Sequence, residues 1–223
     1  MSKSKTIAWF ISIEAGLYVL FLTIDIFTAY DSTPIKYASI ILCFLASLTY
    51  LVFDKKIDKR LVINIALFLT VIADLFLLVL DNFYAVGVAF FAVAQTAYAV
   101  YLHFDKKHIA KTVILRTVLI TSLLIFAWEW LGFSWLVCFV IYYFVNLVVN
   151  LGESCFFASK TGLTFAIGLM LLTLCDICVG LNNITNVSGI SLPNWLNDFV
   201  DVAMWAFYLP SQVLIAVSIM EKK

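Results

Sequence analysis

The sequence predicts an all-α, polytopic transmembrane bundle of eight helices, a single domain over residues 1–223 with both termini cytoplasmic. Three observations predict it. Hydrophobic residues make up 64% of the chain and charged residues only 13%, against an apolar share of roughly 45–50% in soluble domains, and the mean hydropathy is +1.06. The apolar residues fall into eight runs, each near the roughly 20 residues that cross a bilayer as a helix. The runs are continuously apolar instead of alternating, which excludes a closed β-barrel.

The first span, near 7–30, follows MSKSK and contains Glu14 and Asp25; it lacks a small-residue cleavage site and reads as a retained helix, not a cleaved signal peptide. The second, near 34–53, begins just after Ser32-Thr33-Pro34 and holds Lys36 in its first turn. The third, 61–81, carries Asp74 inside VINIALFLTVIADLFLLVL, with Asp81 seven residues later on the same helical face. In the fourth, 83–104, Tyr84, Phe91, Gln95, Tyr98 and Leu102 recur at helical spacing. The fifth spans 112–130. The sixth, 132–151, has Tyr142, Asn146, Asn150 and Glu153 as a polar stripe near its inner end. The seventh, 160–181, carries Asp176 inside LTFAIGLMLLTLCDICVGL, and the eighth, 199–219, lines up Asp201, Trp205, Tyr208 and Gln212.

With both termini inside, every lysine and arginine except Lys36 falls in an inner segment, and that asymmetry sets the orientation. The localisation expected is a multi-pass membrane protein, in the inner membrane if the source is bacterial. The formal net charge of +0 reflects segregation by loop and points to no nucleic-acid partner. Cys43, Cys138, Cys155, Cys175 and Cys178 lie mostly in apolar runs and read as small buried hydrophobes, not a disulfide framework. A metal site wants more histidine than His103 and His108 supply, and no metal or other cofactor is expected. The longest outer connection, NNITNVSGISLPNWLND, contains two glycosylation-type sequons at Asn183 and Asn186 but reads as a turn-rich polar loop. ADLFLLVLDN in span three and CDICVGLNN in span seven form a weak internal echo, each followed by a span with a glutamine, Gln95 or Gln212. That would suit a parallel four-plus-four duplication.

Asp74 and Asp176 are the chemical centre of this reading. A carboxylate within a membrane span costs at least a few kcal/mol on insertion scales, so it marks a functional site by default. Counted at 1.5 Å per residue, both fall roughly 8–10 Å below the outer boundary, deep enough to share one cavity. Asp25 reaches a similar depth; Asp81 and Asp201, near span ends, read as helix caps or interfacial charges. Gln95 and Gln212 serve either as interhelical glue or as holders of a water or substrate oxygen. Phe91 and Trp205 read as packing. The Tyr142–Glu153 stripe lines an inner vestibule or bonds internally, the second reading being favoured by its distance from the aspartates; Glu14 is equally open. Lys36, at a helix N-terminus, suits a phosphate, with snorkelling to the interface as the alternative.

These residues taken together resemble the YhhN/TMEM86 family of membrane lysoplasmalogenases. The resemblance runs over most of the chain: Lys36 opening span two, Ala73-Asp74-Leu75, Gly87, Ala89-Phe90, Ala94-Gln95, Tyr98, Gly168 with Asp176, and Tyr208 with Gln212. The chain departs from the family pattern in Ala73 for glycine, Gln95 for histidine, Tyr37 for proline, Cys175 for serine, and Pro210 within FYLPSQ. The resemblance implies hydrolysis of the vinyl ether bond of lysoplasmalogen to a fatty aldehyde and a glycerophospho-ethanolamine or -choline. Such a bond breaks by proton transfer to its β-carbon and capture of the oxocarbenium ion by water, so one group donates a proton while another tolerates positive charge. Two carboxylates divide in this way, as they do in glycosidases. Asp74 is then the acid and Asp176 the carboxylate that stabilises the cation and orients water, or the reverse. Gln95, Tyr98, Tyr208 and Gln212 position water or the glycerol hydroxyl, Lys36 meets the phosphate, and the alkenyl chain enters from lipid.

Two other enzyme classes fit less well. An intramembrane aspartyl protease would show Gly-x-Gly-Asp and Pro-Ala-Leu where this chain has VIAD, TLCD and FYLPSQ, and a zinc-dependent membrane amidase would need several intramembrane histidines. The remaining rival is a non-enzymatic lipid or small-molecule transporter or binding protein that uses the carboxylates as proton-coupled or head-group contacts.

Overall fold

The structure, a computed structural model, describes residues 3–28, 30–54, 59–104, 109–132, 134–156, 162–183 and 193–221. Among the described residues there are eight membrane-length helices and no strand. They are α1 (Lys3–Phe27), α2 (Thr33–Asp54), α3 (Arg60–Asp74), α4 (Tyr84–His103), α5 (Ile109–Leu131), α6 (Trp135–Phe156), α7 (Leu163–Asn182) and α8 (Asn194–Met220). An even number of crossings returns the chain to its starting side, so the two ends of the bundle are called here the terminal side and the far side.

The expected spans map one to one onto these helices, with ends shifted by up to five residues and one change of helix type. Helix α8 begins five residues earlier than expected, because Pro193 stands just outside it and its carbonyl accepts the first amide bonds, from Leu196 at 2.9 Å and Asn197 at 3.1 Å. Span three is not one uniform α-helix. It changes at Asp74 to a π-helical turn, Leu75–Val79, in which the Leu80 amide reaches back five residues to the Leu75 carbonyl at 2.9 Å. Hydropathy cannot register that change, since both helix types bury the same apolar residues. Such insertions cluster at functional sites, and this one begins at the residue following Asp74.

Helices α2, α3, α4, α6, α7 and α8 form a closed ring, each packed on the next in that order and α8 closing on α2. Helix α1 lies outside the ring against α2 and α8, and α5 lies outside it against α6. Small residues set the closest approaches. A Cβ on Gly168 would stand 2.9 Å from Ile215 Cγ1 and 3.2 Å from the Ser211 carbonyl, so α7 and α8 touch backbone to backbone there. Gly87 does the same for α4, with a virtual Cβ 3.1 Å from the Ala73 carbonyl.

The two outer helices are pinned by one buried ionisable side chain each. Glu14 of α1 accepts hydrogen bonds from Ser39 Oγ and, at 3.5 Å, from Cys43 Sγ of α2. Arg116 of α5 donates to Asn146 Oδ1 at 2.7 Å and Asn150 Oδ1 at 2.8 Å of α6. Pro210 lies inside α8 and has no amide to offer the Ala206 carbonyl. Tyr18 of α1 supplies the missing donor, its hydroxyl reaching that oxygen at 3.1 Å.

The outward surface is apolar. Trp128, Trp130, Trp135 and Trp195 are exposed at the far side, and Phe53, Phe104 and Phe156 at the terminal side, the placement expected of aromatic girdles at two interfaces. The five cysteines are free thiols; Cys43, Cys175 and Cys178 are buried, whereas Cys155 is exposed.

Candidate active site

Asp74 ends the α-helical part of α3 and is 4% exposed. Its Oδ2 accepts a hydrogen bond from the Tyr208 hydroxyl of α8 at 2.5 Å. Asp176, in the last two turns of α7 and less deeply covered, accepts from the Tyr143 hydroxyl of α6 at 2.6 Å. The two tyrosines meet at Phe91 of α4, whose ring centroid lies 5.7 Å from that of Tyr143 and 6.4 Å from that of Tyr208. Cys175 lies within electrostatic reach of both Asp74 and Asp176. Two carboxylates, each oriented by its own phenol, thus converge on one aromatic cluster inside the ring. Among the described residues no hydrogen bond links the carboxylates to one another.

Lys36 guards the far-side edge of this cluster. It is 8% exposed, so it does not snorkel to the interface. Its Nζ pairs with Asp25 Oδ2 at 2.7 Å and sits 4.6 Å from the Trp205 ring centroid and 5.5 Å from that of Phe21. Asp25 Oδ1 is taken by Ser32 Oγ at 2.5 Å. Trp205 stacks edge-on against Tyr208, centroids 5.6 Å apart, which links the ion pair to the Asp74 site. Just ahead of α2, exposed Asp31 accepts from the Thr33 amide at 2.9 Å, and the Thr33 hydroxyl and amide together hold its carboxyl below the usual range. That cap fixes the helix start from which Lys36 projects.

Gln212 lies one turn from Tyr208 on α8 and is 1% exposed. Its Nε2 reaches Ser211 Oγ at 3.3 Å, while its Oε1 has no donor among the described residues. Leaving a buried acceptor unpaired costs about 1–3 kcal/mol, so this oxygen is suited to a water or a substrate hydroxyl. Tyr98 stands a layer deeper, its ring 5.5 Å from Phe165 and its buried hydroxyl without a hydrogen-bond partner among the described residues. Gln95 belongs to another group of residues: its Oε1 accepts from Asn150 Nδ2 at 3.0 Å, and Asn150 is held by Arg116.

Four residues at or beside the site were not assigned to it from the sequence. Tyr143 is one residue off the Tyr142–Asn146–Asn150 stripe and so faces α7 instead of α5. Asp25 showed its depth but not its partner. Cys175 and Cys178 stand at C-x-x-C spacing either side of Asp176, and the spacing joins nothing here, since both are free. Among the described residues no group of three or more His, Cys, Asp or Glu side chains is placed to hold a metal ion.

The sequence model of a family described as the YhhN family matches residues 32–219, from the residue that bonds Asp25 to the last turn of α8. No curated protein and no solved structure matches the chain.

Proposed function

The chain belongs to the YhhN family, which includes the TMEM86 lysoplasmalogenases, and from that premise we propose that it is an integral-membrane hydrolase. Its reaction is cleavage of the vinyl ether bond of lysoplasmalogen, giving a fatty aldehyde and a glycerophospho-ethanolamine or -choline. The observation that carries this reading is the pair of intramembrane aspartates, each bonded to a separate tyrosine and gathered around Phe91.

Asp74 is the acid. Tyr208 occupies its Oδ2, which leaves Oδ1 as the oxygen that carries and delivers a proton. Transfer of that proton to the β-carbon of the vinyl ether puts positive charge on the α-carbon and ether oxygen. Asp176, the more accessible of the two, faces the cation as a carboxylate and draws the proton from the attacking water. Tyr143 holds its Oδ2 and so fixes which oxygen does this. The resulting hemiacetal collapses with loss of the glycerol oxygen as an alcohol, leaving the aldehyde. Phe91 and Tyr208 bound the apolar wall along which the alkenyl chain lies, and Gln212 Oε1 accepts from the glycerol hydroxyl or the water.

At the far-side edge, Lys36 contacts the phosphate with the ammonium hydrogens that Asp25 leaves free, while Asp25 and the Trp205 face meet the cationic end of the head group. A Lys–Asp pair is complementary to a zwitterion, and the expected products carry one.

Purified protein in lipid vesicles, given lysoplasmalogen and an acyl lysophospholipid of equal chain length, is expected to release fatty aldehyde from the first and no fatty acid from the second. Asp74→Asn and Asp176→Asn are each expected to lower the rate by about 10²–10⁴-fold, the usual contribution of a general acid or base. Absence of aldehyde from the wild type, or full activity in both variants, overturns the reading.

A further inference from the structure

A second group of polar residues lies on the terminal side, away from the aspartates, around Arg116. Four of the five guanidinium hydrogens are accounted for: Nη1 donates to Asn146 Oδ1 at 2.7 Å and to the Asn146 carbonyl at 3.4 Å, and Nη2 to Asn150 Oδ1 at 2.8 Å and Glu153 Oε2 at 3.3 Å. The fifth, on Nε, is buried and has no acceptor among the described residues. Glu153 is shared, its Oε1 lying 3.0 Å from His103 Nε2, which also meets Thr112 Oγ1 at 2.8 Å. One carboxylate therefore serves a permanent cation and an imidazole together, and the guanidinium retains a donor that no described residue fills.

Arg116 also lines a cavity. Helix α1 packs on two ring helices, but α5 packs extensively on α6 alone and meets α4 near the terminal side through Thr112 and His103. The consequence is a cleft of about 480 Å³ between α4 and α5, floored by Tyr142 and Asn146 of α6. That volume falls within the range of ligand pockets, which commonly lie between the helices of bundles. Val100, Val113 and Ile120 make its walls apolar, and Arg116 and His103 give it one basic flank. A tether for α5 would need the Nη contacts only; it would require neither a cleft nor a spare N–H.

We propose that this cleft is a lipid-binding site separate from the catalytic one, taking a single-chain amphiphile that carries a phosphate. The phosphate accepts from Arg116 Nε, and the chain lies between Val100 and Val113. Arginine suits this ligand because a guanidinium donates to a phosphate oxygen along a fixed direction while keeping its other hydrogens on the protein.

Binding to the detergent-solubilised full chain is measured by native mass spectrometry with three probes: lysophosphatidic acid, the monoacylglycerol of the same chain, and inorganic phosphate. Lysophosphatidic acid is expected to be retained at least tenfold more tightly than either other probe. Arg116→Gln is expected to weaken it at least tenfold. So are Ala99→Phe and Val113→Trp, which narrow the cleft from opposite walls without touching the Arg116 contacts and so serve if the arginine variant does not fold. Lys36→Ala, at the far side, removes the phosphate contact of the aspartate site, and in that background one lysophosphatidic acid per chain is still expected to be retained and to be lost on adding Arg116→Gln, which separates the outcome from head-group binding at the aspartate site. Equal retention of monoacylglycerol, equal binding of phosphate alone, undiminished binding by the cleft-filling variants, or loss of binding in Lys36→Ala each overturns the proposal.

Discussion

At the scale of single residues, the phenols beside the aspartates are the least obvious parts of the site and make the sharpest test of it. A hydrogen bond to a charged group is worth about 1.5–3 kcal/mol, and 1.36 kcal/mol is a factor of ten in rate. Tyr208→Phe keeps the ring on Phe91 and Trp205 but removes the bond to Asp74. The expected outcome is a fall in kcat of roughly 10–100-fold with KM little changed, measured as aldehyde release over a range of lysoplasmalogen concentrations. A larger change in KM than in kcat would make Tyr208 a binding residue instead. Asp25→Asn addresses the other end of the site. It is expected to lower kcat/KM about tenfold for head groups bearing an ammonium and to spare a head group that ends in glycerol; an unchanged ratio between the two substrates rules out the proposed contact. The aspartates were legible in the sequence because a carboxylate deep in a long apolar run is costly and marks a functional site by default. Tyr143 was not, because a tyrosine in a membrane helix is ordinary until the residue facing it is known. Lys36 showed its position but not its ion pair, since Asp25 lies in a different helix and only packing brings them together.

At the scale of helices, the glycines decide how closely the site's walls approach. Gly168→Ala places a methyl 2.9 Å from Ile215 Cγ1 and 3.2–3.3 Å from the Ser211 carbonyl and Ile215 amide of α8, backbone that has no rotamer with which to yield. Overpacking of this kind costs about 1–3 kcal/mol, and the expected result is a lower midpoint for thermal unfolding in detergent with the catalytic residues untouched. Gly87→Ala is expected to behave differently. Its new methyl would meet the Leu77 side chain at 2.5 and 2.8 Å and the Ala73 carbonyl at 3.1 Å, so the leucine turns aside and the strain falls on the π turn that follows Asp74. Activity should drop more than stability, as read by comparing aldehyde release with the same unfolding midpoint. A stability loss equal to that of Gly168→Ala, with activity intact, would show that the π turn does not position the carboxylate. Helix number and approximate bounds could be read from hydropathy, because apolar length is what a bilayer demands. The π turn could not, and neither could the capture of the Ala206 carbonyl by Tyr18, because both depend on which backbone groups find partners.

At the scale of the whole molecule, the polar residues divide into two layers on a six-helix ring. The aspartates, Lys36 and Asp25 stand toward the far side, and Arg116, Glu153 and His103 toward the terminal side. Gln95 touches the second layer through Asn150, which is why its periodicity with Tyr98 on α4 did not reveal which layer it serves. The excess of lysine and arginine on the terminal side is the expected mark of a cytoplasmic face; with that orientation the proposed hydrolysis would lie in the outer half of the bilayer and the Arg116 cleft would sample the inner leaflet. The cysteines offer a direct test. Cys155 is exposed near the terminal end of α6, whereas Cys138 lies near the far end of the same helix. In intact cells expressing single-cysteine variants, a membrane-impermeant maleimide is expected to leave Cys155 unlabelled until the membrane is permeabilised. A cysteine placed at Asp198, exposed near the far-side start of α8, is expected to label at once. Labelling of Cys155 in intact cells, with protection of position 198, would invert the orientation and assign substrate entry to the cytoplasmic leaflet. The chemistry proposed for Asp74 and Asp176 would be unaffected, because it rests on their burial within the ring and not on which side of the membrane faces them.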